Sequence, residues 1–235
     1  VPARAPRAVL VTLVAATVVV VAMAAVAVLF VRFRGTAAAP VTSTQEPQAP
    51  KAQPLRCGAQ ECTQLAVAKL GTETVELLAD AQGRAGRVRI ESAAGSSVFE
   101  TTGIQDNKSA LTSRSLECVP GASPVCLVRI SQNGESLGEV FVGRSGVWSR
   151  GESTYASTDD YLALRDITGD GTPEVVAVQL SCGDNPAPSC TKAFAQVFTL
   201  SGDEIGCTRV YPANTQLPGW PTVAPSRAQL GTCPS

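Results

Sequence analysis

The residues of this chain that can do chemistry are of two kinds. Carboxylates gather in one stretch, where Asp159, Asp160, Asp166, Asp170 and Glu174 stand around Gly169 and Gly171. Thiols are spread from residue 57 onward, at Cys57, Cys62, Cys118, Cys126, Cys182, Cys190, Cys207 and Cys233. There is no histidine, which removes Ser-His-Asp and Cys-His nucleophile systems and His-based metal sites. Ser189–Lys192 fits an S-x-x-K pattern and Ser131–Asn133 an S-x-N pattern, but penicillin-interacting enzymes use such elements on a helical domain and in the opposite order. Glycoside hydrolysis needs only two carboxylates. The spacing here suits an oxygen-lined metal loop better, or an ordinary acidic turn, for which Asp-Gly is a common signal. No Gly-rich phosphate loop follows a strand and opens a helix, so nucleotide binding has no support. The expectation is a protein that is not an enzyme, with a carbohydrate-active hydrolase as a remote alternative.

The cysteines read as staples. Their spacings match no usual zinc-ligand pair, and no CxxC is present. Eight of them allow on the order of a hundred pairings. Pairing in chain order is the simplest: 57–62, 118–126, 182–190 and 207–233. Cys118 and Cys126 flank Gly121, where they can bridge adjacent antiparallel strands. The last pair pins a Pro-rich tail, and closing a loop of that length is worth about 3–4 kcal/mol in the chain-entropy model.

The segment Asp166-Ile-Thr-Gly-Asp170-Gly-Thr-Pro-Glu174, followed by the apolar run Val175–Val178, resembles the calcium loop of FG-GAP and VCBS-type repeats, D-x-[DN]-x-D-G-x-x-[DE]. The likeness is local to this loop and the run after it. It implies one structural Ca²⁺ held by the side chains of Asp166, Thr168, Asp170 and Glu174 and by the carbonyl of Thr172, with Gly171 supplying the turn. Thr168 departs from the family's Asp or Asn and lowers the ligand charge.

The elements that must position these groups repeat. Gly71, Gly121 and Gly171 are evenly spaced along the chain, as are Val75, Val125 and Val175. Each pair opens a small turn followed by a short apolar run, the pattern of a buried strand. Further strands are expected around Arg87–Ile90, Glu139–Val142 and Ala195–Leu200. Others are expected near Val98–Thr101, Val147–Arg150 and Glu204–Val210, and a fourth set near Leu111–Cys118 and Tyr161–Ile167. The expected fold is all-β, built of four-stranded antiparallel meander units, propeller-like or as a sandwich. Such units need stacked neighbours to bury their apolar faces. In that register the Gly121 and Gly171 turns are equivalent corners between repeats, one fastened by a disulfide and one by a metal.

Composition divides the chain into three parts. Ala8–Val31 is an unbroken run without charge, Gly or Pro, long enough as a helix to cross a hydrocarbon core of about 30 Å. It reads as an uncleaved signal-anchor within residues 1–34, with the lipid bilayer as its partner. Residues 35–56 are rich in Ala, Pro and Thr and read as a flexible tether. Residues 57–235 form the folded domain. Disulfides persist in oxidising compartments, so this domain is expected outside the cytoplasm, on a single-pass protein of the cell membrane. All twenty acidic residues lie after Arg34, and the resulting negative balance argues against nucleic acid as a partner.

The aromatic contact candidates are Trp148, Tyr155, Tyr161, Tyr211 and Trp220. Trp148 suits the core, and Trp220 a cover over the core from the tail. Ser149–Asp160 reads as a polar loop and a contact surface. The Ala/Val/Arg-rich N-terminus and stretches such as TVELLADAQGR and SLECVPGASPVCLVRI make the chain similar to single-pass envelope proteins of high-GC Gram-positive bacteria. That resemblance implies an extracytoplasmic, disulfide-bonded domain and brings no activity. The function expected is a membrane-tethered binding or scaffolding module of the envelope, with an envelope protein or wall polymer as partner. The alternative is an accessory or sensor-like subunit of a membrane complex.

Overall fold

A computed structural model describes residues 54–102, 109–183 and 190–234. The expected anchor at 8–31, nearly all of the tether and Ser189 of the S-x-x-K pattern lie outside them. Among the described residues no helix is long and apolar enough to cross a membrane. The folded part, Gln53–Ser235, is a compact unit.

The strands of this unit are β1 (Arg56–Cys57), β2 (Gln60–Glu61), β3 (Thr63–Leu70), β4 (Glu73–Ala79), β5 (Gly86–Ser92), β6 (Gly95–Glu100), β7 (Leu116–Val119) and β8 (Val125–Gln132). They continue with β9 (Glu135–Arg144), β10 (Val147–Ser157), β11 (Leu162–Arg165), β12 (Glu174–Leu180), β13 (Ala193–Phe198) and β14 (Glu204–Cys207). The first two make a small hairpin, and the rest form three four-stranded sheets in chain order, β3–β6, β7–β10 and β11–β14. Every pairing is antiparallel. Among the described residues the all-β expectation is met, with two single-turn 3-10 segments besides, Asn214–Gln216 and Arg227–Gln229.

Gly71, Gly121 and Gly171 each lie in the first turn of a sheet, after β3, β7 and β11. One correction follows. The strand before each of these glycines pairs forward, as in Cys118↔Cys126 and Arg165↔Glu174. The Gly121 and Gly171 corners therefore sit within sheets, not between them. They remain equivalent to each other, as the first hairpin of the second and third sheets. A second correction concerns Ser149–Asp160. Ser149–Ser157 belongs to β10 and pairs with β9, with a bulge between Arg150 and Thr154. Alternating Trp148 and Tyr155 with polar residues hid a strand whose second face is partly wet.

Burial follows the alternation of each strand. In the first sheet Val75, Leu77, Val88 and Ile90 are buried while Glu76, Arg87 and Arg89 look the other way. Their ion pairs, Arg89–Glu76 at 2.5 Å and Arg87–Glu100 at 2.5 Å, cover the outer face. The middle sheet is apolar on both faces, with Val125, Cys126, Leu127 and Val128 all buried in succession. Phe141, Val128 and Ile130 pack with the first sheet, and Leu127, Val140 and Tyr155 pack with Leu162, Leu164 and Val175 of the third. The outer face of the third sheet, Val176, Val178, Ala195 and Val197, is covered by Leu217 and Val223 of the tail.

Two local devices set this stacking. Asn133 and Gly134, both at positive φ, make the two-residue turn between β8 and β9, a left-handed geometry that suits the right-handed strand twist. Gly138 lets the second and third sheets approach. A methyl there would lie 2.9 Å from Leu127 Cδ1 and 3.0 Å from Leu162 Cδ1.

All four disulfides are present, Cys57–Cys62, Cys118–Cys126, Cys182–Cys190 and Cys207–Cys233, and no cysteine among the described residues is free. Cys118 and Cys126 are direct cross-strand partners. Cys207 also exchanges two backbone hydrogen bonds with Gly231, so the tail is held by covalent and hydrogen bonds at one point.

Candidate functional site

The loop from Asp166 to Glu174 connects β11 to β12, and its carboxylates first serve the loop itself. Asp166 accepts from the backbone N–H of Gly169 (2.7 Å) and of Gly171 (3.1 Å). Asp170 accepts from the N–H of Thr172 at 2.7 Å. Glu174 is buried, and its Oε2 accepts from the Ile167 N–H at 2.7 Å. Its Oε1 accepts from the Thr168 hydroxyl at 2.8 Å. These bonds satisfy backbone donors that a tight loop leaves without ladder partners. They also put Thr168 against Glu174, which explains locally why a hydroxyl works at that position.

The donor types fit a hard cation. A carboxylate offers about four lone-pair sites, so accepting one or two N–H bonds leaves capacity on each. Convergence is a separate matter. The oxygens of Asp166, Asp170 and Glu174 are not gathered within 4.8 Å of one another. The one group of that kind among the described residues is Glu204, Cys207 and Cys233, and its two sulfurs are bonded to each other. They offer no thiolate, the form that ligates metals.

Asp170, Thr172 and Glu174 also line a cleft of about 610 Å³, together with Val142, Arg144, Ser149, Leu200 and Ser201. It lies between β9–β10 of the middle sheet and the first and last turns of the third. The bulge in β10 shapes its wall. Arg150 lines this cleft too, while its guanidinium lies over the Phe141 ring and 3.5 Å from Glu139. No single sequence motif marks this cleft, since its residues come from four separate segments.

No family model, curated protein or solved structure matches the chain. Assignment rests on the residues themselves.

The aromatic candidates separate by burial. Trp148 is in the core and donates its indole N–H to Glu73 at 3.1 Å. Tyr155 is buried between the second and third sheets and donates to the Thr199 carbonyl at 2.8 Å. Burial, aided by the charge of Asp203, pushes its phenol up to about 12. Tyr161 and Tyr211 pack against the third core while partly exposed. Trp220 does not cover that core; Leu217 and Val223 do, and Trp220 stands 38% exposed between them in the chain. Sequence reasoning also missed Arg165, which reaches Glu117 of β7 at 2.6 Å and the Tyr161 hydroxyl at 3.4 Å. Burial works to lower its guanidinium, but the hydrogen bond to Glu117, with the charges of Tyr161 and Glu117, outweighs it and holds it above its ordinary value.

Proposed function

We propose that this protein is a membrane-tethered, extracytoplasmic binding or scaffolding module of the cell envelope, held by residues 8–31 and presenting its β domain on the 35–56 tether. The three sheets are read as blade-like units of an open array, closed at one end by charge and at the other by the tail. The observation that carries this reading is the pairing of all eight cysteines in four disulfides, an arrangement that persists where thiols oxidise. The mixed, hydroxyl-rich lining of the cleft supports recognition, and it offers neither an activated nucleophile nor a histidine.

The test is topology. Single cysteines placed in the tether of the otherwise intact chain should react with a membrane-impermeant maleimide on whole cells. Labelling only after lysis overturns the reading. We further propose that the 166–174 loop takes one structural Ca²⁺, its carboxylates keeping the loop shape and lending their remaining lone pairs to the ion. Added Ca²⁺ should raise the melting temperature of the metal-stripped protein, and Asp170→Ala should abolish that increment. An unchanged melting temperature with Ca²⁺ sinks the metal.

A further inference from the structure

The outer face of the first sheet ends the array, yet it is not uniformly polar. Among the described residues the exposed large apolar side chains are Val67, Val98, Val147 and Trp220. Two of them, Val67 and Val98, stand on this one face. Residues paired directly across antiparallel strands share a face. Val67 pairs with Glu76, Glu76 with Arg89, and Arg89 with Val98. A single row therefore crosses the sheet from β3 to β6. The alternate residues Val75, Leu77, Val88 and Ile90 are buried on the other face, in the core shared with the middle sheet.

The order of the row is its informative property. From either end it runs apolar, charged, charged, apolar, and the two central charges are opposite in sign. Arg89 donates its Nε–H to Glu76 at 2.5 Å. That bond uses one of the five N–H groups of the guanidinium and leaves the others for a facing carboxylate. Beside it runs a second row, Lys69, Thr74, Glu91 and Ser96. Lys69 is exposed and has no ion pair among the described residues. Glu91 is also exposed and accepts from the Ser96 hydroxyl at 2.9 Å.

We propose that this face docks on the same face of a second copy of the chain, about a two-fold axis running along the strands between the two sheets. The axis passes between β4 and β5, so β3 lies over β6 of the second copy and β4 over its β5. Val67 then meets Val98 of the second copy, and Glu76 meets its Arg89, twice each by symmetry. Lys69 comes one strand from Glu91 of the second copy. An axis across the strands would instead set Glu76 against Glu76 and Arg89 against Arg89, and like charges suppress that arrangement. The self-match of the row selects a second copy over an unrelated protein. Growth stops at two, because the tail covers the opposite end of the array. Four strands of 6 to 8 residues make a face of about 400 Å². Two such faces bury about 800 Å² in total, the size of a weak contact. Anchoring both copies in one membrane offsets that weakness by raising their effective concentration, on the order of millimolar. The inference deepens the scaffolding reading and rests on it for the anchor alone.

The test uses the full chain in proteoliposomes, as Val67→Cys and Val98→Cys variants reconstituted together and treated with a short bismaleimide. Within one chain the two positions lie three strand spacings apart, about 14 Å, beyond the reach of the reagent. The mixture should give covalent dimers, and either variant alone should give almost none. Adding Glu76→Arg or Arg89→Glu to both cysteine variants should each lower the dimer yield by about tenfold. Combining a Glu76→Arg copy with an Arg89→Glu copy should restore it, because arginine then faces glutamate at both central places. A role confined to the ion pair within one sheet does not predict that rescue between chains. If either charge variant does not fold, the cysteine pattern decides alone. The proposal is overturned if the mixture gives no more dimer than each variant alone, or if folded charge variants do not rescue each other. Cross-links in whole cells from Val67→Cys to a different protein, with none between copies, also overturn it. The same mixture in detergent micelles at high protein concentration reads the contact without the anchor. Dimers there, together with a failed topology labelling, would overturn the membrane reading and leave this contact standing.

Discussion

At the scale of single residues, the 166–174 loop carries two separable contributions. Glu174 is 6% exposed and satisfies the buried N–H of Ile167. Glu174→Ala should cost about 1–3 kcal/mol in urea melts even in EDTA, the usual penalty for leaving a buried donor unmet. A loss seen only with Ca²⁺ present would mean that the hydrogen bonds contribute nothing. Tyr155 gives a pH signature. Its phenol is held near 12 against an ordinary value of 10.0, so the folded state keeps its proton where the unfolded state releases it. The stabilisation is complete below pH 10 and is lost as pH rises toward 12, by about 2–3 kcal/mol in full. Tyr155→Phe should flatten that alkaline decline while losing about 1 kcal/mol at neutral pH with its bond to Thr199.

At the scale of elements, close approach and stapling set the limits. Gly138 stands where β9 meets Leu127 and Leu162 within 3.0 Å of a hypothetical methyl. Gly138→Ala should destabilise by about 1–3 kcal/mol, the range for overpacking a filled core. The tail depends on Cys207–Cys233, which closes a separation of 26 residues. Replacing both by Ser should cost about 3–4 kcal/mol and expose Val176, Val178 and Val197, read as increased binding of a hydrophobic dye. Replacing Cys118 and Cys126, separated by 8 residues, should cost less, because the loop constrained in the unfolded chain is shorter. An equal loss from the two pairs would show that native packing, not loop closure, dominates.

At the scale of the whole domain, adjacent sheets share their cores, and the third sheet has a further one with the tail. The middle sheet contributes to two cores, with Phe141 in one and Leu127 in the other. Removing a side chain at one interface should therefore lower a single transition without splitting it. Phe141→Ala is expected to cost about 3–5 kcal/mol, with calorimetric and van't Hoff enthalpies still equal. Two resolved transitions would mean that the sheets fold as independent repeats. Among the described residues the array ends in ion pairs on one outer face, flanked by exposed Val67 and Val98, and in the tail on the other.

What was legible in the sequence was whatever depends on near neighbours in the chain. Strand periodicity and the Gly71, Gly121 and Gly171 turns join residues close in sequence, so spacing and alternation suffice to find them; the disulfides matched the simplest pairing, in chain order, but spacing alone did not choose it among the alternatives. The Asp166–Glu174 loop was legible as a unit for the same reason, though not the commitment of its carboxylates to its own N–H groups. Tertiary structure alone decided what faces what: that β7 and β11 pair forward, that Ser149–Ser157 is a strand against β9, and that the Arg150 guanidinium lies over the Phe141 ring. It also decided that Leu217 and Val223, not Trp220, seal the last core. Those outcomes depend on which apolar surfaces meet across long stretches of chain. A one-residue alternation reads the same whether its second face meets water, another sheet or a returning tail.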